Sequence, residues 1–183
     1  MTSAQADHAR APSKSAEKPE GLKLDYPRLE DGAALWRIAR DSRVLDLNSS
    51  YSYLLWCRDH SATSIVARDA DGSPVGFVTG YLRPQDQRTL FVWQVAVDHS
   101  QRGRGLAAAM LGALVDRTAE ELDVAFVETT VTPDNTPSNR LFTSFAERRG
   151  APMRSDTLFD PDVFPESGHE PEVLHRIGPV DGH

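Results

Sequence analysis

The sequence predicts one α/β domain of the α+β, mixed-sheet kind. The sheet is antiparallel in its first half, gains a parallel crossover later, and is flanked by helices. Three observations carry this. Strand-like apolar runs come first as a group and then alternate with helical runs. The 183 residues are enough for one domain with a proper core. The stretch "VDHSQRGRGLAAAML", from Val97 to Leu111, joins a strand to an Ala/Leu-rich helix through a turn with two glycines and two arginines.

The elements follow in order. Residues 1–22 are polar, Ala/Ser/Pro-rich and almost free of large apolar side chains, which predicts a disordered tail. The folded domain is expected over 23–178, with a short C-terminal tail at 179–183. "PRLEDGAALWRIARDS" reads as a helix capped by Asp31, with Ala34, Leu35, Ile38 and Ala39 at helical spacing. "VLDLNSSYSYLLWCRDH" opens as a loop and continues as a short helix over Tyr51 to Cys57. The clearest hairpin runs from Ser64 to Arg68, turns at Asp71-Gly72, and returns over Val75 to Leu82. "TLFVWQVAVD" is a strand, and "LAAAMLGALVDRTAEEL" a long helix with Leu106, Met110, Leu114 and Val115 on one face. "VAFVETTVTP" is a strand, "TPSNRLFTSFAERRG" a helix and "EPEVLHRIGP" a last strand.

Composition excludes several classes. Net charge is -7, which argues against a protein that tracks nucleic-acid phosphates. It fits a solvated protein or one with a cationic ligand. The N-terminal stretch lacks the apolar core of a secretory signal, and no run approaches the ~20 apolar residues of a membrane span. The single cysteine, Cys57, gives no disulfide framework, and the six histidines are scattered, so no metal site emerges. Together these features predict a cytoplasmic protein.

The turn is the first candidate site. Residues 102–107 spell Arg-Gly-Arg-Gly-Leu-Ala. The first turn of a helix has amides without intrahelical acceptors, and the helix dipole adds positive potential there. Gly103 and Gly105 permit close backbone approach, and Arg102 and Arg104 can add charge-assisted contacts. The same tripeptide Gly-Arg-Gly also suits a plain surface turn. The pattern is neither a P-loop nor G-x-G-x-x-G, which disfavours a kinase or a nicotinamide enzyme.

In this context "VAVDHSQRGRGLAAAMLGAL" and "NTPSNRLF" resemble the two sequence motifs of the GCN5-related N-acetyltransferases, the GNAT superfamily. The likeness spans roughly residues 24 to 177. It implies a splayed mixed sheet with acetyl-CoA in the V-shaped gap between two diverging strands. Backbone amides from Gly103 to Ala107, including that of Leu106, would hold the pyrophosphate, beside Arg102 and Arg104. The strand through Val95, Ala96 and Val97 would pair with the pantetheine arm, and Asn135 would contact its thioester end. Further segments, "LDLNSSYSYLLWC", "GFVTGYLRP", "LFVWQVAVD", "ETTVTPDNTPSNRLF" and "GHEPEVLHRI", resemble the branch of the superfamily that acetylates the γ-amine of L-2,4-diaminobutyrate for ectoine biosynthesis. The resemblance also implies a homodimer and no metal. Two rivals share the turn: a GNAT enzyme for another small amine, and a non-catalytic acyl-CoA sensor.

Such a substrate carries two ammonium groups, so carboxylates are the residues to find. An amine must also lose a proton before attacking a thioester. Asp46, in a polar loop, is a candidate ammonium ligand or an ordinary exposed acid. Asn48, Ser49 and Tyr51 are candidates beside it, although Asn-Ser-Ser is also common turn chemistry. Glu170 and Glu172 precede the last strand, and Glu172, nearer its start, is the preferred base. Glu128 lies mid-strand among Val127, Thr129 and Thr130. It is expensive to bury unpaired, so it is a second candidate base or a substrate ligand, or else a partner for an arginine. Trp93 is expected to share a strand face with Phe91, Val95 and Val97, as core or as a pocket wall, with Gln94 opposite. Many members of the superfamily have a tyrosine that protonates the thiolate seven residues after the motif asparagine. Here Phe142 stands there, leaving Tyr51, Tyr53, water or unaided departure. Cys57 has no histidine at catalytic spacing and reads as a small apolar residue.

Overall fold

The computed structural model describes residues 19–43, 45, 47–165 and 168–180. A short strand β1 (Lys23–Asp25) leads through a 3-10 turn into α1 (Gly32–Ser42) and α2 (Ser50–Asp59). The hairpin β2 (Ile65–Arg68) and β3 (Pro74–Arg83) follows, then β4 (Asp86–Val97). Helix α3 (Leu106–Leu122) crosses to β5 (Phe126–Val131), and α4 (Thr136–Arg149) to β6 (Met153–Phe159) and β7 (Glu172–Ile177). The sheet order is β1-β2-β3-β4-β5-β7-β6, antiparallel throughout except for the β4–β5 pair. Helix α3 supplies the long connection that a parallel pair requires.

Two apolar clusters cover the two faces of the sheet. Leu106, Met110 and Leu114 of α3, with Phe142 and Phe145 of α4, pack on Ile65, Val78, Leu90 and Val92. Leu35 and Ile38 of α1 and Tyr53 of α2 pack on Val66, Phe77 and Ala96 from the other side. Neighbouring strand residues thus divide between the clusters, as the pleat demands. The packed region passes both limits drawn from composition: Leu22 and Val180 are buried in the first cluster, and the Val180 amide donates to Ala125 O at 2.8 Å.

Three local expectations change. Asp31 does not cap α1 with its side chain. Its two carboxylate oxygens accept from Arg68 at 2.8 and 2.7 Å, forming a buried ion pair between the start of α1 and β2. Two strands escaped the sequence reading. β1 has only three residues, and β6 is an outer edge strand exposed along almost its whole length, so it shows no alternation. The third change is in β4. Thr79 opposes Gln94 while Gly80 opposes Val92, so Trp93 is an inserted residue in a β-bulge. The bulge reverses the alternation. Leu90 and Val92 face α3 before it, and Val95 and Val97 pack on that same cluster after it. Trp93 therefore does not share a face with Val95 and Val97. Gly80 is required opposite, because a Cβ there would lie 2.8 Å from Phe91 O.

Candidate active site

The site arises where β4 and β5 part. Their parallel pairing covers Thr89–Phe126, Leu90–Val127 and Phe91–Glu128, and stops there. The Thr129 hydroxyl donates to Val92 O at 3.1 Å just beyond. Past that point β4 has a free edge, and a gap opens between it and the end of β5. Two clefts fill this gap. One, of about 540 Å³, is lined by Val95, Ala96 and Val97 of β4, by Arg102 and Ala107, and by Pro137, Ser138 and Leu141 of α4. The other, of about 350 Å³, is lined by Asn48, Phe91, Trp93, Gln94, Thr130, His169, Glu170 and Glu172. Leu45, Thr132, Asp134 and Asn135 line both, so the clefts meet at the β5–α4 turn.

Their electrostatics differ. The larger cleft abuts the N-terminus of α3, whose first-turn amides cannot be satisfied within the helix. Gly103 and Gly105 have φ of +75° and +76°, with open space where a Cβ would stand. The backbone there is bare to an approaching anion, with Arg102 at the rim. Asp98 braces the approach to this turn. Burial raises its pKa, but bonds from the Ser100 amide, the Arg37 guanidinium and the Ser100 hydroxyl outweigh that and hold it at about 2. In the smaller cleft Glu170 and Glu172 have no ion-pair partner among the described residues, and no lysine or arginine lines it. Unpaired carboxylates beside the aromatic faces of Phe91 and Trp93 suit a cationic guest. Trp93 is 49 % exposed and stacks with Trp56 at a centroid distance of 6.2 Å. Tyr53, fully buried, donates its hydroxyl to Gln94 Oε1 at 3.0 Å and so fixes another part of the wall.

The structure gathers many of the sequence-predicted residues and leaves others aside. Val95, Ala96, Val97, Arg102, Ala107 and Asn135 line the larger cleft, and Asn48, Trp93, Glu170 and Glu172 the smaller. Asn135 caps α4, accepting from the Ser138 amide through Oδ1 at 3.2 Å. Asn135 itself lines both clefts. Leu106 sends its side chain into the core, leaving only its backbone near the turn. Arg104 is turned away from the cleft, donating to Gln101 and to Glu20 O. Ser49 caps α2 and bonds Ser52, lining neither cleft. Tyr51 is 65 % exposed on α2 and also lines neither, so its hydroxyl is not at the junction. Glu128 is 2 % exposed and held between Arg83, at 3.0 Å, and Arg176. That is the arginine-partner alternative, and both carboxylate oxygens are taken up by the two guanidinium groups. Asp46 lies outside the described residues. Phe142 is core, and Cys57 is buried with its thiol pushed up to about 11, chiefly by burial.

Sequence reasoning missed His169, Asp134 and Thr132. His169 stacks flat on Phe164 at 3.6 Å, and its Nδ1–H donates to Glu170 O at 2.6 Å. It sits in a loop with no periodicity, so only the fold brings it to the cleft. Asp134 and Thr132 bond each other at 2.6 Å beside the motif asparagine, a proximity that could have flagged them.

A splayed sheet with a bare helix mouth on one side of the gap and unpaired acids on the other is the frame of an acyl-transfer protein. The sequence model of the Acetyltransferase (GNAT) family matches residues 32–146, and the chain belongs to that family. The chain is 62% identical over 180 residues to the L-2,4-diaminobutyric acid acetyltransferase of Streptomyces coelicolor, covering 98% of each. It is 44% identical to the enzyme of the same name from Marinococcus halophilus, covering 87% of this chain and 91% of that one. Among solved structures it resembles the diaminobutyrate acetyltransferase EctA of Paenibacillus lautus, in complex with its substrate L-2,4-diaminobutyric acid and coenzyme A. That match has a TM-score of 0.81 and 39% identity, covering 87% of this chain and 95% of that one.

Proposed function

We propose that this chain transfers the acetyl group of acetyl-CoA to the γ-amine of L-2,4-diaminobutyrate. The observation that carries the reading is the charge division of the gap, with an anion-binding helix mouth in one cleft and unpaired Glu170 and Glu172 in the other. The high identity to diaminobutyrate acetyltransferases over nearly the whole chain supports the particular substrate.

In this reading the amides from Gly103 to Ala107 and Arg102 take the pyrophosphate, and the free edge of β4 takes the pantetheine arm. Arg104 then serves the turn by tying it to Gln101 and Glu20. Glu172 removes a proton from the γ-ammonium, with Glu170 and Asn48 holding the rest of the substrate. His169, with Nδ1 engaged by Glu170 O, is proposed to face the substrate carboxylate. The freed amine attacks the thioester carbonyl, and Asn135 Nδ2 stands at the junction as a donor for the developing oxyanion. Holding both reactants at one junction supplies much of the rate. The carbon–sulfur bond then breaks. The thiolate takes up, through water, the proton shed by the new amide nitrogen, since no tyrosine lines either cleft among the described residues. Asp46 is proposed as a further ammonium ligand from sequence alone.

We further infer a cytoplasmic homodimer whose product feeds ectoine synthesis. The apolar side chains Leu158, Phe159 and Val163, exposed on and beside the outer edge strand β6, support self-association. No helix among the described residues is long and apolar enough to cross a membrane. The test of function is thiol release from acetyl-CoA with a panel of amines, with NMR to locate the acetyl group. Diaminobutyrate should be turned over fastest and at its γ-nitrogen. Faster turnover of spermidine or an aminoglycoside, or tight coenzyme A binding with no transfer, overturns the reading.

A further inference from the structure

We propose that His175 is a positioning residue for the junction, acting through Asn139 to lock the β5–α4 turn that carries Thr132, Asp134 and Asn135. The proposal rests on the functional reading only in taking that junction as the place of transfer.

The hydrogen bonds dictate their own polarity. Asn139 lies one turn into α4 and faces two carbonyl oxygens, Thr132 O at 3.1 Å and Asn135 O at 3.0 Å. Only its Nδ2 hydrogens can meet both, so its Oδ1 must point the other way. There it meets His175 Nε2 at 3.0 Å. That nitrogen must therefore be the donor. Nδ1 is then free to accept, and the Ser155 hydroxyl lies 2.8 Å from it. A chain of three side chains thus runs from β6 through β7 and α4 to the two carbonyls that bracket the turn. Every donor in it has an acceptor.

Two features separate this from an ordinary satisfied core histidine. The chain ends on Thr132 and Asn135, and both residues line both clefts. Behind the turn, side-chain packing is incomplete. An open groove of about 630 Å³ lies there, lined by Pro133, Thr136, Asn139, Arg140, Val173 and His175. With this groove at its back, the side-chain brace adds to the backbone bonds of the turn itself, Asn135 N to Thr132 O at 3.1 Å and Asn139 N to Asn135 O at 3.0 Å. Burial holds the His175 imidazole below its ordinary pKa, which keeps the neutral tautomer that the chain uses.

The experiment compares His175→Leu, His175→Gln, Asn139→Ala and the double variant His175→Leu/Asn139→Ala, each assayed well below its melting temperature. A glutamine amide can donate where the imidazole N–H does. His175→Leu and Asn139→Ala should each lower kcat for acetyl transfer about tenfold or more, as expected for small misplacements of reacting groups. His175→Gln should recover most of that loss, and the double variant should be no worse than the singles. Hydrogen exchange supplies a readout that needs no substrate: the Asn135 and Ser138 amides should exchange faster in His175→Leu but not in His175→Gln. Unchanged kcat and exchange in folded His175→Leu, a glutamine variant as impaired as the leucine, or additive losses overturn the proposal. If the wild-type protein acetylates no diamine, the substrate reading fails instead, and the exchange comparison alone upholds or overturns the brace.

Discussion

Phe91 and Glu128 form the last residue pair across the parallel β4–β5 ladder, and both proposed binding clefts begin beyond it. Glu128 is pinned there between Arg83 and Arg176, with Arg176 also reaching Asp86 at 3.3 Å. The pairing stops at a point where charge ties four strands together, and the free edge of β4 lies beyond it.

Glu128→Gln should consequently act on stability. Removing one partner of a buried charge cluster typically costs about 3 to 5 kcal/mol; here the half-exposed arginines recover part of that in water, so about 2 kcal/mol is expected. Chemical denaturation measures this. The pH profile of the surviving activity should match that of the wild type. A shifted profile would return Glu128 to the list of bases.

Glu172→Gln should behave in the opposite way. A general base contributes roughly 10² to 10⁴ in rate, so kcat/KM for diaminobutyrate should fall at least a hundredfold. Calorimetric affinity for coenzyme A should stay within about twofold, since the residue lines the other cleft. Loss of affinity for coenzyme A would show that Glu172 supports the cleft rather than the proton transfer.

Gly105→Val tests the helix mouth. The φ of +76° is strained for any L side chain, by about 1 to 2 kcal/mol, and worse for a β-branched one. Distortion of the turn should raise the Michaelis constant for acetyl-CoA about tenfold while leaving that for the amine nearly unchanged. Equal increases in both would contradict the anion-binding role.

Asp98 gives a prediction in pH. Its folded pKa of about 2 lies below the ordinary carboxylate value, so its ionised form is favoured by folding. That contribution is fully present above pH ~4 and is lost as pH falls toward 2. It amounts to about 2 kcal/mol at neutral pH. Asp98→Asn should therefore flatten the acid limb of the stability curve measured by denaturation between pH 5 and 2.5. An unchanged slope would remove Asp98 as the brace of the turn.

Cys57 should be chemically silent in the folded protein. With its thiol pushed up to about 11 and no exposed surface to speak of, little thiolate forms near pH 7. Iodoacetamide should leave the native chain unmodified by mass spectrometry and acetyl transfer intact, while the unfolded chain is alkylated. Rapid native alkylation would mean that α2 opens readily.

What could be read from the sequence was local and periodic. The long helix α3 was legible through its Ala/Leu spacing, the hairpin through Asp71-Gly72, and the helix mouth through Gly103 and Gly105. Each of those signals is a property of neighbours along the chain. The edge strand β6 was not legible, because an edge exposed on both faces needs no alternation. The bulge at Trp93 was not legible either, because a single inserted residue leaves no mark in composition and yet reverses every face beyond it.

The sequence by itself determined most of the element order, the mixed sheet and the glycine turn at the start of α3, since backbone dihedral preference and hydrophobic period act over a few residues. Only tertiary structure decided which acids line the clefts. It bound Glu128 to two arginines from other strands, turned Tyr51 to solvent, and carried Glu170 and Glu172 from the far end of the chain to the β4–β5 gap. A carboxylate's chemistry is set by the charges and solvent around it, and those neighbours are distant in sequence.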